Sequence, residues 1–307
     1  MILSRFNKLY LLLIFISMIF ITCGTDIARQ ESFRFVFMTD IHLQPERGAI
    51  EGFRQAIDSV NALNPKPDFV ITGGDLIFDA IKQNEKRADS LYNLYFETAK
   101  RFQMPVYHTI GNHEIFGVNT AAGVPSNHPE YGKKMFVNRA GENNSYLAFS
   151  HKNWHFILLD AMSIHPEKDY IGKIDSTQIE WLAAQLQGIG EKSPVAFVTH
   201  IPFYTVFSQY HGSPTMANGE KLVVTNANDI VKLAAPYNLK LVLQGHLHTV
   251  EEIKYKGVSY ITGGAVSGNW WKGARFGFPE GYIVVDVNGE DISWEYKTYG
   301  WDATAYN

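Results

Sequence analysis

The sequence predicts an α/β fold built in layers. After residue 32, short apolar runs of β type alternate with longer stretches whose apolar residues recur at helical spacing. A chain of 307 residues, of which 46% are hydrophobic and 19% charged, can bury a sizeable core. Because strands that alternate with helices pack as sheets covered by helices, we expect a layered α/β domain.

The alternating part of the chain defines the predicted elements in order. Five apolar runs bounded by turn or polar residues predict buried strands, at 33–38, 69–72, 106–110, 195–199 and 241–243. Four stretches between them predict helices, at 52–63, 84–102, 177–187 and 229–235. In the first of these, Phe53, Ile57 and Val60 fall on one face. Helices with one apolar face are expected to cover a sheet.

Other runs follow one another with little helix between them, which is typical of hairpins and suggests a second sheet. They are 146–149, 154–159, 250–255, 258–261, 282–287 and 292–299. The stretches 116–144 and 202–228 lack regular periodicity, and long loops of this kind are often functional lids. No repeat or linker composition divides residues 32–307, so we expect one domain there.

The amino terminus predicts export. Arg5 and Lys8 precede an apolar run at 9–21, which is shorter than the roughly 20 residues that a membrane-spanning helix needs. Cys23 follows this run directly, so residues 1–23 resemble a bacterial lipoprotein signal. The resemblance implies a protein of the cell envelope or periplasm, attached to the membrane by lipid at Cys23. An uncleaved anchor and a cleaved signal with an incidental cysteine are the alternatives.

Composition excludes two classes of protein. The chain has 27 basic and 31 acidic residues and a formal charge of −4, so it has no excess cations to neutralise a nucleic-acid polymer. Cys23 is the only cysteine, which excludes an internal disulfide and a site with several thiolate ligands. Any metal ion must therefore be held by His, Asp, Asn or Glu.

Residues of metal-ligand type follow each of the five predicted strands. The carboxyl ends of strands in α/β sheets form the ligand crevice, so these side chains can converge. Burying them together without a cation would cost several kcal/mol. Gly74, Gly111 and Gly245 would let the backbone approach a ligand closely. The residues are Asp40, His42, Asp75, Asn112, His113, Glu114, His200, His246 and His248.

The motifs Asp-x-His, Gly-Asp, Gly-Asn-His-Glu, a separate His and Gly-His-x-His resemble, in this order, those of the calcineurin-like metallophosphoesterase family. They span residues 40–248. The resemblance implies an αββα sandwich of two mixed β-sheets flanked by helices, with a metal site at the strand carboxyl ends. It implies one metal ion on Asp40, His42, Asp75 and His248, and a second on Asp75, Asn112, His200 and His246, with Asp75 as the bridge.

Imidazole and carboxylate ligands without sulfur suit Mn, Fe or Zn. Two such ions can share a hydroxide, align it with phosphorus and neutralise the charge on phosphoryl oxygens. The resemblance places His113 beside the metals, where it would protonate the leaving oxygen or stabilise its charge. Glu114 would orient that imidazole from outside the ligand set. We therefore expect a dinuclear phosphoester hydrolase that acts on a small molecule.

The branch of the family is indicated by two positions. Purple acid phosphatases carry Gly and Tyr where this chain has His42 and Phe78, so the chain is more similar to the cyclic-nucleotide phosphodiesterase-like branch. We expect a phosphodiesterase, with a phosphomonoesterase as the alternative. An envelope protein that keeps the metals for structure and only binds a ligand is a further alternative of another class.

Substrate residues are expected in the loops around the metal motifs. Tyr204 and His211 follow His200, and Trp270 with Trp271 follows the last motif. Aromatic rings near a metal crevice could stack on a base, a sugar or an aryl group. The two tryptophans could equally well only cover the sheet edge.

Overall fold

The computed structural model describes residues 31–306, in which two β-sheets pack face to face and helices cover both outer surfaces. The predicted signal at 1–23, with Cys23, lies outside the described residues. The predicted layered α/β fold with two mixed sheets is confirmed. Among residues 31–306, no helix has the length and apolar character required to cross a membrane.

The strands are β1 (Ser32–Met38), β2 (Phe69–Thr72), β3 (Val106–His108), β4 (Leu147–His151), β5 (Trp154–Leu159), β6 (Met162–His165), β7 (Asp169–Gly172), β8 (Val195–Thr199), β9 (Leu239–Gln244), β10 (Val250–Tyr255), β11 (Val258–Gly263), β12 (Gly281–Asn288) and β13 (Asp291–Thr298). The helices are α1 (Ala49–Asn61), α2 (Glu85–Ala99), α3 (Lys134–Ala140), α4 (Ser176–Ile189), α5 (Phe207–His211) and α6 (Ala227–Ala234).

The first sheet has the strand order β13-β12-β1-β2-β3, and the second has the order β10-β11-β9-β8-β5-β4. Strands β1, β2 and β3 are parallel, as are β5, β8, β9 and β11, whereas β4, β10, β12 and β13 pair antiparallel. The predicted hairpins therefore do not form a sheet of their own but extend both sheets. The apolar pattern of a run shows that it is buried, but not which strand lies beside it.

Alternation along the strands explains the layers. In β1, Phe35 and Phe37 point into the core between the sheets, whereas Val36 and Met38 point toward the helices. Strand β9 repeats this pattern, with Leu243 in the core between the sheets and its neighbours facing outward. Because both faces of these strands are covered, each contains a continuous apolar run, at 35–38 in β1 and 241–243 in β9, rather than an alternation of apolar and polar residues.

The helices cover the two outer faces. Phe53 of α1 and Tyr95 of α2 pack against the first sheet, and Leu182 of α4 with Ile230 of α6 packs against the second. The side chain of Asp175 caps α4 by accepting a hydrogen bond from the backbone N–H of the third helical residue. Each sheet thus has one face on its helices and one on the other sheet.

The two stretches without periodicity contain short elements of secondary structure. Helix α3 lies in 116–144 and helix α5 in 202–228, and the ribbon β6–β7 at 162–172 was not predicted. These elements are short, so each offers too few turns or residues for a periodic pattern to stand out.

Candidate metal centre and adjoining cavity

The residues that follow β1, β2, β3, β8 and β9 come together at one edge of the two sheets. Their loops are joined by backbone hydrogen bonds, including His42 N–H to the Asp75 carbonyl (2.9 Å) and Gly245 N–H to the His200 carbonyl (2.9 Å). We call the assembled donor set the imidazole–carboxylate cluster. Its members are Asp40, His42, Asp75, Asn112, His200, His246 and His248.

The cluster has two groups of donors that share Asp75. In the first group, His248 Nε2 lies 3.1 Å from Asp40 Oδ1 and 3.0 Å from His42 Nε2. In the second group, His200 Nε2 lies 3.1 Å from Asp75 Oδ2. The same Asp75 oxygen lies 3.6 Å from His42 Nε2. One carboxylate oxygen thus faces both groups, as a bridging ligand would.

Asn112 and His246 complete the second group. The Asn112 side-chain oxygen lies 3.1 Å from His200 Nε2. Donor atoms of Asp75, His200 and His246 all lie within 4.8 Å of one another. The structure therefore brings together all the residues that the family motifs assign to the metal ions.

The protein fixes the atoms of these side chains that point away from the cluster. His200 Nδ1–H donates to the Gly73 carbonyl (2.7 Å) and His248 Nδ1–H donates to the Gly268 carbonyl (2.5 Å). In a neutral imidazole this leaves the Nε2 lone pair for the cluster. Asp40 Oδ2 likewise accepts from Thr39 Oγ1 (2.7 Å), which leaves its Oδ1 for the cluster.

The free atoms fit metal ions. Asp40 Oδ1 is buried and has no hydrogen-bond partner among residues 31–306. It faces His248 Nε2, which cannot donate a hydrogen bond while Nδ1 carries the proton. Two acceptors at 3.1 Å repel each other unless a cation lies between them. Imidazole and carboxylate donors without sulfur suit Mn, Fe or Zn.

The pKa shifts in the second group also indicate a site for a cation. Burial acts to raise the pKa of Asp75, but the charges of His200 and His113 outweigh it and hold that pKa well below its ordinary value. Burial acts to lower the pKa of His200, but Asp75 outweighs it and raises the pKa to about 9. The Asp75 carboxylate therefore needs a positive charge beside it, which a proton on His200 provides when no metal ion does.

The backbone at the cluster is strained. Five of its residues have φ angles between 48° and 73°, a left-handed conformation that costs a residue other than Gly about 1–3 kcal/mol. These residues are Asp40, His42, Asp75, His246 and His248. Gly111 permits the close packing here, because a Cβ atom on it would lie 2.3 Å from Asp75 Oδ1. Such strain is typical of functional sites.

Glu114 lies beneath the cluster and organises its backbone. Its buried carboxylate accepts hydrogen bonds from the N–H groups of Gly111 (2.7 Å), Asp75 (2.8 Å), Leu76 (2.8 Å) and Ile77 (3.2 Å). Burial, together with the charge of Asp75, raises the pKa of Glu114 to about 7. The carboxylate thus holds the loop after β2 against the loop after β3.

The expectation that Glu114 orients the His113 imidazole is wrong. His113 Nδ1 is instead hydrogen-bonded to the Phe78 carbonyl, because the Glu114 oxygens are fully engaged by backbone N–H groups. His113 Nε2 lies 3.9 Å from Asp75 Oδ2, and 24% of the side chain is exposed. The imidazole therefore lies at the boundary between the cluster and solvent.

A cavity of about 480 Å³ opens beside His113. We call it the basic cavity, because its lining includes four cationic side chains from separate loops. They are Arg47, Lys82, Lys221 and Lys272. These residues belong to no motif, so the sequence does not predict them. The one signal was that Lys221 falls in an irregular stretch expected to be functional.

The two tryptophans have different environments. Trp270 is half-buried, lines the basic cavity, and has its ring centroid 4.6 Å from that of His248. Trp271 is completely buried, and its Nε1–H donates to the His42 carbonyl at 3.1 Å. The predicted substrate contact of Trp271 is therefore corrected, because a buried side chain that supports the backbone of a cluster residue is part of the core.

Tyr204 and His211 also lie outside the basic cavity. The Tyr204 hydroxyl donates to the Asn228 side chain (2.8 Å), and its ring packs against Tyr260. His211 is exposed and lies 4.2 Å from the Phe276 ring, in a separate cavity of about 380 Å³. The structure thus does not bring either residue to the cluster, although both follow His200 in sequence.

The fold and the donor set are together typical of metal-dependent hydrolases of phosphoric esters. The sequence profile of the calcineurin-like phosphoesterases matches residues 33–250. The chain belongs to this family.

A curated relative, named "Probable glycerophosphodiester phosphodiesterase GpdQ" and found in Arcobacter nitrofigilis, is 24% identical over 209 residues, or 68% of this chain. The match spans 66% of the relative's length, just under two thirds. A dimetal phosphatase of Danio rerio is similar in structure, with a TM-score of 0.57 and 16% identity over 87% of this chain and 99% of that one.

GAP50, the anchor in the inner membrane complex of Plasmodium, has a TM-score of 0.53 and 16% identity over 88% of this chain and 85% of its own. At these identities the solved structures show a shared fold.

Proposed function

We propose that the protein is a phosphodiesterase that hydrolyses small-molecule phosphodiesters with the help of two metal ions. The observation that carries the proposal is the position of Asp75 Oδ2, which lies 3.1 Å from His200 and 3.6 Å from His42. A single oxygen shared by two donor groups is the arrangement that a dinuclear centre requires. The curated relative named as a diesterase supports the choice of diesters.

The chain offers four ligands to each ion. Asp40, His42, Asp75 and His248 would hold the first, and Asp75, Asn112, His200 and His246 would hold the second. When bound, the ions would supply a water molecule of lowered pKa and neutralise charge on the phosphoryl oxygens. The buried carbonyl partners of His200 and His248 keep the imidazoles aligned for this task.

His113 is the residue that we propose to assist the leaving group. The Phe78 carbonyl accepts from its Nδ1–H and fixes the ring, so Nε2 faces the cluster and the basic cavity. When phosphorus is attacked and the ester bond breaks, the departing oxygen gains negative charge. A proton or hydrogen bond from Nε2 would stabilise that charge.

We also propose that the protein is exported and attached to the membrane by lipid at Cys23. The support is the sequence of residues 1–23 alone. Mass spectrometry of the mature protein tests this proposal. A mature chain that begins at Cys23 and carries acyl groups supports it, and a chain without lipid contradicts it.

The activity is tested by initial rates of the full-length protein loaded with Mn²⁺, on bis(p-nitrophenyl) phosphate and on p-nitrophenyl phosphate. The Asp75→Asn protein is the control for metal-dependent turnover. Faster cleavage of the diester supports the proposal. Faster cleavage of the monoester favours a phosphomonoesterase, and turnover of neither substrate with metals bound favours a ligand-binding protein.

A further inference from the structure

The basic cavity is lined by cationic side chains that form no ion pair within the described part of the protein. Arg47, Lys82, Lys221 and Lys272 line it together with His113. None of these four side chains forms an ion pair among residues 31–306; the ion pairs of Lys and Arg there belong to other residues. Four unpaired cations that face one concave surface form a site for an anion.

Two carboxylates also line the basic cavity, but each is already engaged. Asp79 accepts hydrogen bonds from the backbone N–H of Ile81 (2.9 Å) and from Gln83 Nε2 (3.1 Å). Asp169 accepts from Asn119 Nδ2 (2.9 Å). After these two negative charges are counted, the four cations leave a surplus of two positive charges.

Aromatic rings hold two of the cations in place. Lys221 Nζ lies 5.1 Å from the centroid of the Tyr170 ring, and Arg47 Cζ lies 5.8 Å from that of Phe78. Arg47 also donates to the Trp270 carbonyl (3.2 Å). A ring attracts a cation by its face without using up all the N–H donors. These donors therefore remain available to a ligand. A phosphoryl group carries a charge of about −2 near pH 7, which matches the surplus of two positive charges in the cavity.

We propose that the substrate carries a second phosphoryl group besides the phosphodiester that is cleaved, and that the basic cavity binds this second group through Lys221 and its neighbouring cations. The inference rests on the proposed function, in which the cleaved phosphorus would lie at the cluster beside His113. Nearby aromatic side chains give the cavity an apolar wall that suits the organic part of such a molecule.

A matched pair of substrates tests the proposal. Thymidine 5′-(p-nitrophenyl phosphate) has one phosphodiester, and its 3′-phosphorylated counterpart differs from it only by a second phosphoryl group. With the full-length, Mn²⁺-loaded protein, we expect kcat/KM to be about tenfold higher for the second compound, which corresponds to about 1.4 kcal/mol. In Lys221→Gln this ratio should fall toward one.

Lys256→Gln is the matched control, because Lys256 also lies over a tyrosine ring, at 5.4 Å from that of Tyr255, but outside the basic cavity. It should keep the wild-type ratio. Equilibrium binding of thymidine 3′,5′-bisphosphate and thymidine 5′-phosphate gives a second readout that does not depend on turnover. The bisphosphate should bind more tightly to the wild type, and Lys221→Gln should lose that difference.

The outcomes separate this inference from the proposed function. Equal kcat/KM for the two nitrophenyl substrates in the wild type would overturn the second phosphoryl site while leaving the diesterase intact. An undiminished ratio in Lys221→Gln would overturn it as well. Release of inorganic phosphate in place of nitrophenolate, or turnover of neither compound, would instead contradict the phosphodiesterase on which the inference rests.

Discussion

The imidazole–carboxylate cluster and the basic cavity lie side by side but are built in different ways. The cluster stands at the ends of five strands, and backbone hydrogen bonds fix its buried side chains. The cavity takes its cations from separate loops. Rings hold two of them, Arg47 and Lys221, whereas Lys82 and Lys272 are exposed. In the proposed function, the chemical step would therefore depend on rigid elements, and substrate recognition would depend on loops.

The largest effect should come from breaking the cluster at its shared ligand. Asp75→Asn removes the charge that both donor groups use, so we expect kcat/KM to fall about 10⁴-fold, or about 5.5 kcal/mol. Metal analysis of the purified variant should show lost metal, and circular dichroism should show a retained fold. A variant that keeps both metals and more than a tenth of the activity would contradict the bridging role.

Changing His113 separates proton donation from metal binding, because this imidazole lies at the boundary between cluster and cavity. We expect His113→Ala to lower kcat about 10²-fold to 10³-fold without loss of metal. The loss should be greater for a diester with an alkyl leaving group than for one with a nitrophenyl leaving group, since an alkoxide needs the proton more. Equal losses on both esters would speak against leaving-group assistance.

The carboxylate beneath the cluster should have an intermediate effect. Glu114→Gln replaces one of the two oxygens that accept backbone N–H bonds by an amide donor, so the loops after β2 and β3 should separate. Metal affinity should fall about 10-fold to 100-fold, as measured by titration with Mn²⁺. An unchanged affinity would mean that the ligands keep their positions without this carboxylate.

The neighbouring tryptophans sharpen the distinction between core and cavity. Trp271→Ala should lower the free energy of unfolding by about 3–5 kcal/mol, because it empties a fully buried site. Trp270→Ala should change stability by about 1 kcal/mol or less and act mainly on KM. Denaturant unfolding and steady-state kinetics on both variants would show whether the two effects are separate, and a KM change confined to Trp271→Ala would reverse the assignment.

The smallest effect is expected at Tyr204 and His211, the two predicted substrate residues that lie outside the basic cavity. His211→Ala and Tyr204→Phe should leave kcat and KM for bis(p-nitrophenyl) phosphate within about twofold, since neither side chain lines the basic cavity. A large rise of KM in either variant would show that the loops rearrange around the substrate.

The cluster could be predicted from the sequence because its members follow apolar strands at fixed positions. Asp40, Asp75 and His200 each come one to three residues after a buried run, and parallel strands place such positions at one edge. The layers could be predicted for a similar reason, since a pattern of apolar residues encodes burial. Strand neighbours could not, because burial alone does not specify which edges pair.

The cavity wall could not be predicted, since loop geometry decides which side chains meet there. Lys221 and Arg47 are 174 residues apart in sequence and carry no common signal. Trp270 and Trp271 are adjacent, but Trp271 lies in the core and Trp270 lines the cavity. Both residues have a left-handed backbone conformation, which their residue type does not predict. Likewise, the hydrogen bond from His113 to the Phe78 carbonyl involves a backbone atom, and residue types do not reveal such partners.

The cluster draws its donors from both sheets, with Asp75 following β2 and His200 following β8. It is therefore complete only when the two sheets have docked, and metal binding is thermodynamically linked to that docking. Bound ions would act as a reversible cross-link between the two sheets. At a free metal concentration a thousandfold above Kd, binding would add about 4 kcal/mol to the free energy of unfolding. By reciprocity, loosening the core between the sheets, for example at Phe156, should weaken metal binding without touching a single ligand.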